Sequence, residues 1–432
     1  MGFAQGVSGL NASANNLDVI GNNIANSGTV GFKSGGVMFS DVYAGSRVGL
    51  GTQAAGVSQN FSAGVVQTTS RALDVAIVNG DGFFRLVSAG GELAYSRNGQ
   101  FNIDKGGYIV NSGGLQLTGY GVGVNGEVSG GTPTALQLPT TAMAPKVTQN
   151  VAAQFNLDSR SAVPTATPFD ANNSASFNYS NSVTVYDSLG NSHELATYFV
   201  KTGPNAFDTY ATADGWPLNS SGAKVASATP PATGPSSGGS ALTTGSLGFS
   251  TAGALNGGAP ATPASTLVGT KINIAGLDFG NGAAPMSFTV DVAGTTQFGN
   301  ANDVKKLSQD GFTSGSLVGF VINKDGTVTG KYSNEQGKTL GQVALSSFVN
   351  PNGLQSKGDN VFSETSASGQ PLTGKPGAGT KLGSLASGAL EASNVDLTSE
   401  LVNLIIAQRT YQANAQTVKT QDQVMQTLVN LR

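Results

Sequence analysis

The residues able to do chemistry are few. His193 is the only histidine among 432 residues and cysteine is absent, so a structural zinc site and a disulfide framework are excluded, and a Ser/His/Asp enzyme would rest on that one imidazole. His193 falls in the second strand of an expected hairpin, where a structural histidine is the simpler reading. Asp187 and Asn191, around the preceding turn, could suggest a calcium loop, but Asx residues form such turns without a metal. Gly121-Val122-Gly123-Val124-Asn125-Gly126 fits the dinucleotide fingerprint letter for letter. The residues that follow, Glu127 to Pro133, cannot open the helix on which a pyrophosphate would sit. Gly337-Lys338-Thr339 resembles the end of a phosphate loop, yet Tyr332 stands where the earlier glycine is required. The other carboxylates are scattered singly, and nothing in their placement supports a glycosidase pair. The expectation is a protein that is not an enzyme, with no catalytic residue, no cofactor and no metal.

Composition narrows the class further. Glycine supplies 61 residues and charged residues only 11 %, against a usual charged share of about a quarter. A net charge of −3 without any basic run argues against nucleic acid, whose phosphates need clustered Lys and Arg. No stretch approaches the ~18 apolar residues of a membrane span, so no membrane insertion is expected. The first cation is Lys33, and the N-terminus lacks both the charged and the apolar region of a secretory signal. The Gly, Ser, Thr, Ala and Asn content is that of an exported surface protein, so export without a cleaved signal peptide is expected.

The elements that organise the chain are most legible at its ends. From Ala389 to Arg432 no Gly or Pro occurs. Within that stretch Leu397, Leu401, Leu404, Tyr411, Ala415, Val418, Met425 and Val429 follow alternating spacings of four and three, with Gln408 and Asp422 as polar exceptions. That is a long amphipathic helix, with Ser393, Asn394 and Asp396 as cap residues. Phe3, Val7, Leu10, Ala14, Leu17, Gly21 and Ile24 repeat the spacing at the N-terminus. This second helix carries Gly6, Gly9, Gly21 and several Asn, each a poor helix former, and would be unstable alone. Gly28 offers its stop, with Thr29 to Lys33 extended after it. We expect both stripes to serve self-assembly, the helices being largely disordered in the monomer and folding when copies meet.

Between the ends the period is two. Leu73, Val75 and Ile77 precede a turn at Asn79 to Gly82 into Phe83 to Val87, and Phe101 to Val110 turns at Asp104 to Gly107. Val183 to Asp187 and His193 to Val200 flank a further turn, as do Val318 to Ile322 and Thr327 to Tyr332. These read as antiparallel hairpins and the middle as all-β. Thr202 to Asn302 holds only Lys224 and Lys271 as cations, with Pro/Gly/Ala/Ser/Thr-rich runs at Thr229 to Gly239 and Gly257 to Ala264, and reads as a loop-rich inserted β domain.

Several segments carry a resemblance. Ser8-Gly9-Leu10-Asn11-Ala12, Asn16 to Asn26 and Gly31-Phe32-Lys33 closely resemble the N-terminal signature of the bacterial flagellar rod and hook axial proteins. Leu73 to Ile77, Gly82-Phe83-Phe84, Tyr95 to Gly99 and Leu115 to Tyr120 look like the β domain of the same group. Gly388 to Asp396, Glu400 to Asn403 and Gln408 to Gln412 complete it at the other end. Rod members are shorter and lack a large insertion, so the domain near 145–285 and the segment Tyr332 to Gly341 resemble the hook type.

The resemblance implies a mainly β multidomain chain whose helical termini pair as a coiled coil in an assembled tube, with nested sandwich-like or barrel-like β domains projecting outward. It implies a helical inner-tube part at 1–30 plus 395–432 and connecting segments at 31–70 plus 365–394. A middle β domain at 71–145 plus 285–364 and an outer inserted one at 146–284 follow. The implied function is that of a subunit polymerising into the curved hook, a universal joint between rod and filament around an export channel. Implied partners are further copies of the chain, the distal rod, the hook cap, the hook–filament junction proteins and the flagellar type III export apparatus, outside the cell. A distal rod-type subunit and a secreted β-rich adhesin are the alternatives, the adhesin leaving two heptad termini unexplained.

Overall fold

The computed structural model describes residues 2–42, 51–123, 126–139, 141–218, 245–256, 267–268, 270–377 and 381–430. The runs Thr229 to Gly239 and Gly257 to Ala264 lie outside the described residues. The chain divides into two compact units. Unit 1 comprises Met1–Thr140, Leu317–Lys331 and Glu335–Arg432; unit 2 comprises Thr141–Ser316 and Tyr332–Asn334.

Unit 1 begins with helix α1, Gly2–Ala25, and ends with helix α2, Leu397–Asn430. Asp396 caps α2, its Oδ1 accepting the backbone N–H of Thr398 at 2.9 Å, which satisfies one of the free donors of the first turn. Asn394, expected as a cap, is drawn away. Its amide donates to the Asn60 carbonyl and its Oδ1 accepts from the Ser34 N–H. α1 ends before Gly28, and the left-handed residue is Gly31 at φ +70, so residues 29–31 turn and are not extended as expected. A hairpin of β1, Gly35–Asp41, and β2, Thr52–Gln59, follows.

The principal sheet of unit 1 is buried on both faces around Phe83–Val87. Successive side chains of a strand point to opposite faces, and here Phe84 and Leu86 enter the main core with Phe101, Leu117 and Val343, while Phe83 enters an aromatic cluster with Tyr95, Phe348 and Phe362. The hairpins expected at 101–110 and 318–332 are present. The one expected around Asn79 to Gly82 is not. β3, Val66–Thr68, pairs with Ala389–Glu391, and β4, Val75–Val78, pairs with Ser384–Ser387, not with Phe83–Val87. Gly80 lies so close to the backbone of Gly383, 2.7 Å from where its Cβ would be, that the turn serves to seat the returning C-terminal segment.

Unit 2 is built of two sheets facing one core. Phe155, Leu157, Ile272, Phe288 and Val290 from one meet Val185, Leu195, Phe199 and Phe207 from the other. The strand Ser192–Gly203 alternates buried with half-buried positions from Leu195 to Lys201, the pattern of an antiparallel strand with one face on the core. The hairpin of Tyr179–Tyr186 with Ser192–Gly203 matches the sequence reading. Asn150–Asp158, however, runs parallel to Met286–Asp291 and to Thr296–Phe298, a non-local pairing that hairpin signals do not reveal. For the same reason the unit extends past residue 284, the boundary read from composition, because the strands from Met286 to Gln309 complete its sheet.

Candidate assembly surface

α1 and α2, expected to be largely disordered in the monomer, are formed in the single chain and lie as antiparallel neighbours, their close packing supplying the burial that the isolated helices lack. A Cβ on Gly6 would lie 2.9 Å from Val418 Cγ2, and one on Gly9 3.0 Å from the Asn414 amide, so the glycines that weaken the isolated helix allow the close approach. The Asn414 amide donates to Ser13 Oγ at 3.3 Å. At the other end the Asn23 amide donates to Gly35 O at 2.8 Å and to Glu400 Oε1 at 3.3 Å, while its Oδ1 accepts the Gly35 N–H at 2.9 Å. Asn23 thereby joins both helices to β1.

The contact only partly overlaps the apolar stripe read in the sequence, sharing Val418, which meets Gly6. On α1 the inward positions include Gly6, Ala12, Ser13, Ile20 and Asn23; on α2 the buried one is Ala407. Of the stripe, Phe3 and Val7 are exposed and Leu10, Ala14, Leu17 and Ile24 half-buried. On α2, Leu404, Tyr411, Ala415 and Val418 are half-buried, and Leu397, Leu401, Met425 and Val429 exposed. Val402, Ile405 and Ile406 extend the exposed apolar face. Gly6 faces Val418, so α2 beyond Asp422 projects past the start of α1 and carries Val424, Met425 and Val429 without cover from it. Sequence reasoning missed the inward Gly6, Ser13 and Asn23 because glycine, serine and asparagine give no hydrophobic signal, and Ala12, Ile20 and Ala407 because they fall off the chosen spacing.

A groove of about 840 Å³ opens between α1, α2 and the β1–β2 hairpin. Ala12, Val19, Ile20, Phe39, Ile406 and Ala407 supply its apolar lining, with Asn16, Asn23 and Asn414 among the polar groups. The exposed Met38, Phe39 and Val57 of the hairpin carry the apolar surface on from the groove.

Beneath the helices the chain is tied by a buried ionic knot. Lys33 Nζ lies 2.5 Å from Glu391 Oε1 and also donates to Ser62 O at 2.7 Å. Glu391 Oε1 accepts the Gly64 N–H, and Oε2 faces Arg97 Nη1 at 3.4 Å. The Arg97 guanidinium lies over the Phe83 ring. Burial pushes the Lys33 ammonium below its ordinary pKa against the opposing pull of Glu391. Gly31, at positive φ, packs against the backbone of Arg97 and Asn98 and donates its N–H to the Glu391 carbonyl. Three remote passages, near 31–34, 60–64 and 389–394, therefore converge on one strand end of the β core. Lys33, Arg97 and Glu391 were visible in the sequence only as members of the resembling segments.

The rejected chemical motifs sit in ordinary turns and strands. Around Gly121 to Gly126, Gly123 donates to Glu127 O and Val122 bridges Val128; Val124 and Asn125 lie outside the described residues. Gly337-Lys338-Thr339 opens the strand Gly337–Val343. Among the described residues no group of His, Cys, Asp or Glu is placed to hold a metal, and no helix is long and apolar enough to cross a membrane.

Four family descriptions cover most of the chain. "Flagella basal body rod protein" matches residues 5–33 and "Flagellar hook protein FlgE/F/G D1 domain" residues 77–151. "Flagellar basal body protein FlaE D2 domain" matches 156–312 and "Flagellar basal body rod FlgEFG protein C-terminal" 386–431. The flagellar hook protein FlgE of Escherichia coli K12 is 49 % identical, and that of Salmonella typhimurium LT2 47 % identical, each over 100 % of both chains. The crystal structure of Helicobacter pylori flagellar hook protein FlgE2 covers 75 % of this chain and 100 % of its own, at a TM-score of 0.49 and 12 % identity. Full-length relatives of hook type favour that reading over the distal rod-type and adhesin alternatives, and the family is a structural one, not one of enzymes. From the helical termini, the inserted domain between them and near-half identity end to end, the chain belongs to the flagellar hook protein FlgE family.

Proposed function

We propose that copies of this chain polymerise through the exposed apolar stripes of α1 and α2 into the curved tube of the flagellar hook, a flexible joint that transmits torque from rod to filament and encloses an export channel. The observation that carries this reading is the mismatch at the helices. The intramolecular contact buries small and polar residues and leaves Phe3, Val7, Leu401, Ile405, Met425 and Val429 uncovered. An apolar stripe sustained over a helix about 50 Å long is a contact surface for other molecules. Head-to-tail contacts between identical copies that do not close give a helical tube.

In this reading residues 1–30 with 395–432 form the inner tube, 31–70 with 365–394 connect it, and the β part of unit 1, 71–140 with 317–364, and then unit 2 form middle and outer β shells. The shell is poor in charge, so its neighbours meet through weak, exchangeable, partly wet contacts that a bending tube can remake. The distal rod, cap and hook–filament junction proteins adjoin the ends, and the chain leaves the cell through the flagellar type III apparatus without cleavage. Removal of residues 1–26 or 397–432 should leave a folded β monomer that no longer polymerises; filaments of unchanged abundance by electron microscopy would overturn the reading. Removing unit 2 should spare assembly and yield straight or soft tubes. Its ends suit the excision, since Met143 donates to Gly315 O at 2.7 Å.

A further inference from the structure

The one histidine of the chain joins three separate passages of unit 2. His193 Nδ1 lies 2.7 Å from Asp214 Oδ2 and its Nε2 3.3 Å from Asp187 Oδ2. Its ring stacks on Phe279 with centroids 3.4 Å apart and planes 14° apart. Asp187 stands in the turn before the His193 strand, Asp214 in the turn after Ala206–Ala213, and Phe279 on the segment leading to the strand Met286–Asp291. That segment is also bound by Asn281, whose amide donates to Asp187 Oδ2 at 2.7 Å, and by Ala284, whose N–H donates to Ser188 Oγ.

The geometry specifies a protonation state. A neutral imidazole donates from one nitrogen and accepts at the other, whereas both nitrogens here face carboxylate oxygens, which only accept. Only the imidazolium donates to both. Burial alone would raise Asp187, but the Asn191 and Asn281 amides, the Asn191 backbone N–H and His193 hold it far below the usual carboxylate range, so it stays an acceptor. The other charged residues on these passages are Glu194, next on the strand; Lys201, further along it, which donates to Ser159 O and Ser161 O; Asp278, which accepts the Gly280 N–H; Asp208, which bonds Ser246; and Asp291, which accepts from Thr270. The strand Tyr179–Tyr186, paired with that of His193, carries no charged residue.

We propose that His193 is a proton-operated clasp that holds the segment 278–284 against the two turns when protonated and releases it when neutral. Loss of the proton leaves one ring nitrogen's lone pair against a carboxylate, and the clasp opens in the neutral form. Hydrogen–deuterium exchange of the full chain, corrected for the intrinsic pH dependence of exchange, reads this directly. The ring resonance of the only histidine reports its protonation in the same samples. Protection of 278–284 should fall about tenfold between the protonated and neutral forms, the worth of one charge-assisted hydrogen bond. In His193→Gln the difference should vanish. Should that variant lose its fold, Asp214→Asn offers the neutral ring an amide partner that can donate, and should flatten the dependence with the fold intact. Equal protection in both forms of the native chain, or a tenfold change that persists in a folded His193→Gln or Asp214→Asn variant, would overturn the proposal.

Discussion

Lys33 and Glu391 lie 358 residues apart in sequence and 2.5 Å apart in space, with side chains 0 % and 1 % exposed. The pair joins the chain that has just left α1 to the chain about to enter α2, on the flank of the β core. An ion pair so buried gives little net stability over apolar residues of the same shape, but losing one partner is costly. Its contribution is to fix one arrangement of the passages that carry the two helices.

Glu391→Ala should therefore be among the most damaging single changes in unit 1. It removes the carboxylate that Lys33 and Arg97 share, leaving Lys33 with the Ser62 carbonyl alone, and frees the Gly64 N–H. A loss of about 3 to 5 kcal/mol is expected in denaturant unfolding. Lys33→Met should cost less, because Arg97 and Gly64 continue to satisfy Glu391. Equal losses for the two would contradict Glu391 as the shared acceptor.

Two glycines of α1 should respond in opposite directions. Gly6→Val places atoms within contact distance of Val418 and should separate the helices, at about 1 to 3 kcal/mol, with loss of helical circular dichroism. Gly21 has nothing within 4 Å of its would-be Cβ, and Gly21→Ala should stabilise α1 by about 1 kcal/mol. The contrast separates close approach from helix propensity.

Leu401→Glu with Ile405→Glu tests the exposed face of α2. Both residues are about half exposed, at 45 % and 50 %, so monomer stability should change by no more than about 0.5 kcal/mol. Tube formation, followed by sedimentation and electron microscopy, should be lost.

Asp310 is one of the carboxylates through which acid should act on unit 2. Burial raises its pKa, but the N–H groups of Asn150 and Gln149, the Asn150 amide and Lys146 outweigh that and hold it at about 2. A carboxylate depressed in the folded state stabilises above its unfolded pKa, and that contribution is lost as pH falls through the folded value. Stability should accordingly decline from about pH 4 towards pH 2, and Asp310→Asn should weaken that decline in thermal unfolding followed against pH.

What the sequence disclosed was local. The absence of Gly and Pro after Ala389 located α2, and turn residues located the hairpins at 101–110, 183–200 and 318–332 because each strand pairs with its neighbour in the chain. Val75–Val78 misled the same logic, since its partner is Ser384–Ser387. The parallel pairing of Asn150–Asp158 with Met286–Asp291 was hidden for the same reason. At the helices the apolar stripe was legible, yet the chain spends Gly6, Gly9, Ser13 and Asn414 on its own packing, a face that only geometry reveals.

The pairing of Val66–Thr68 and Val75–Val78 with residues 384–391 also sets a sequence in time. Every described strand in the sheets of unit 2 lies between Asn150 and Gln309, so a chain emerging from its N-terminal end holds that unit's strands before three quarters of it has appeared. Unit 1 must wait. Its sheet partners and the acceptor of its ionic knot come from residues 384–391, and closing so long a loop is slow. The inserted unit is thus free to finish first, and the part of the molecule that presents α1 and α2 to other copies is completed only when synthesis or delivery of the chain is nearly over.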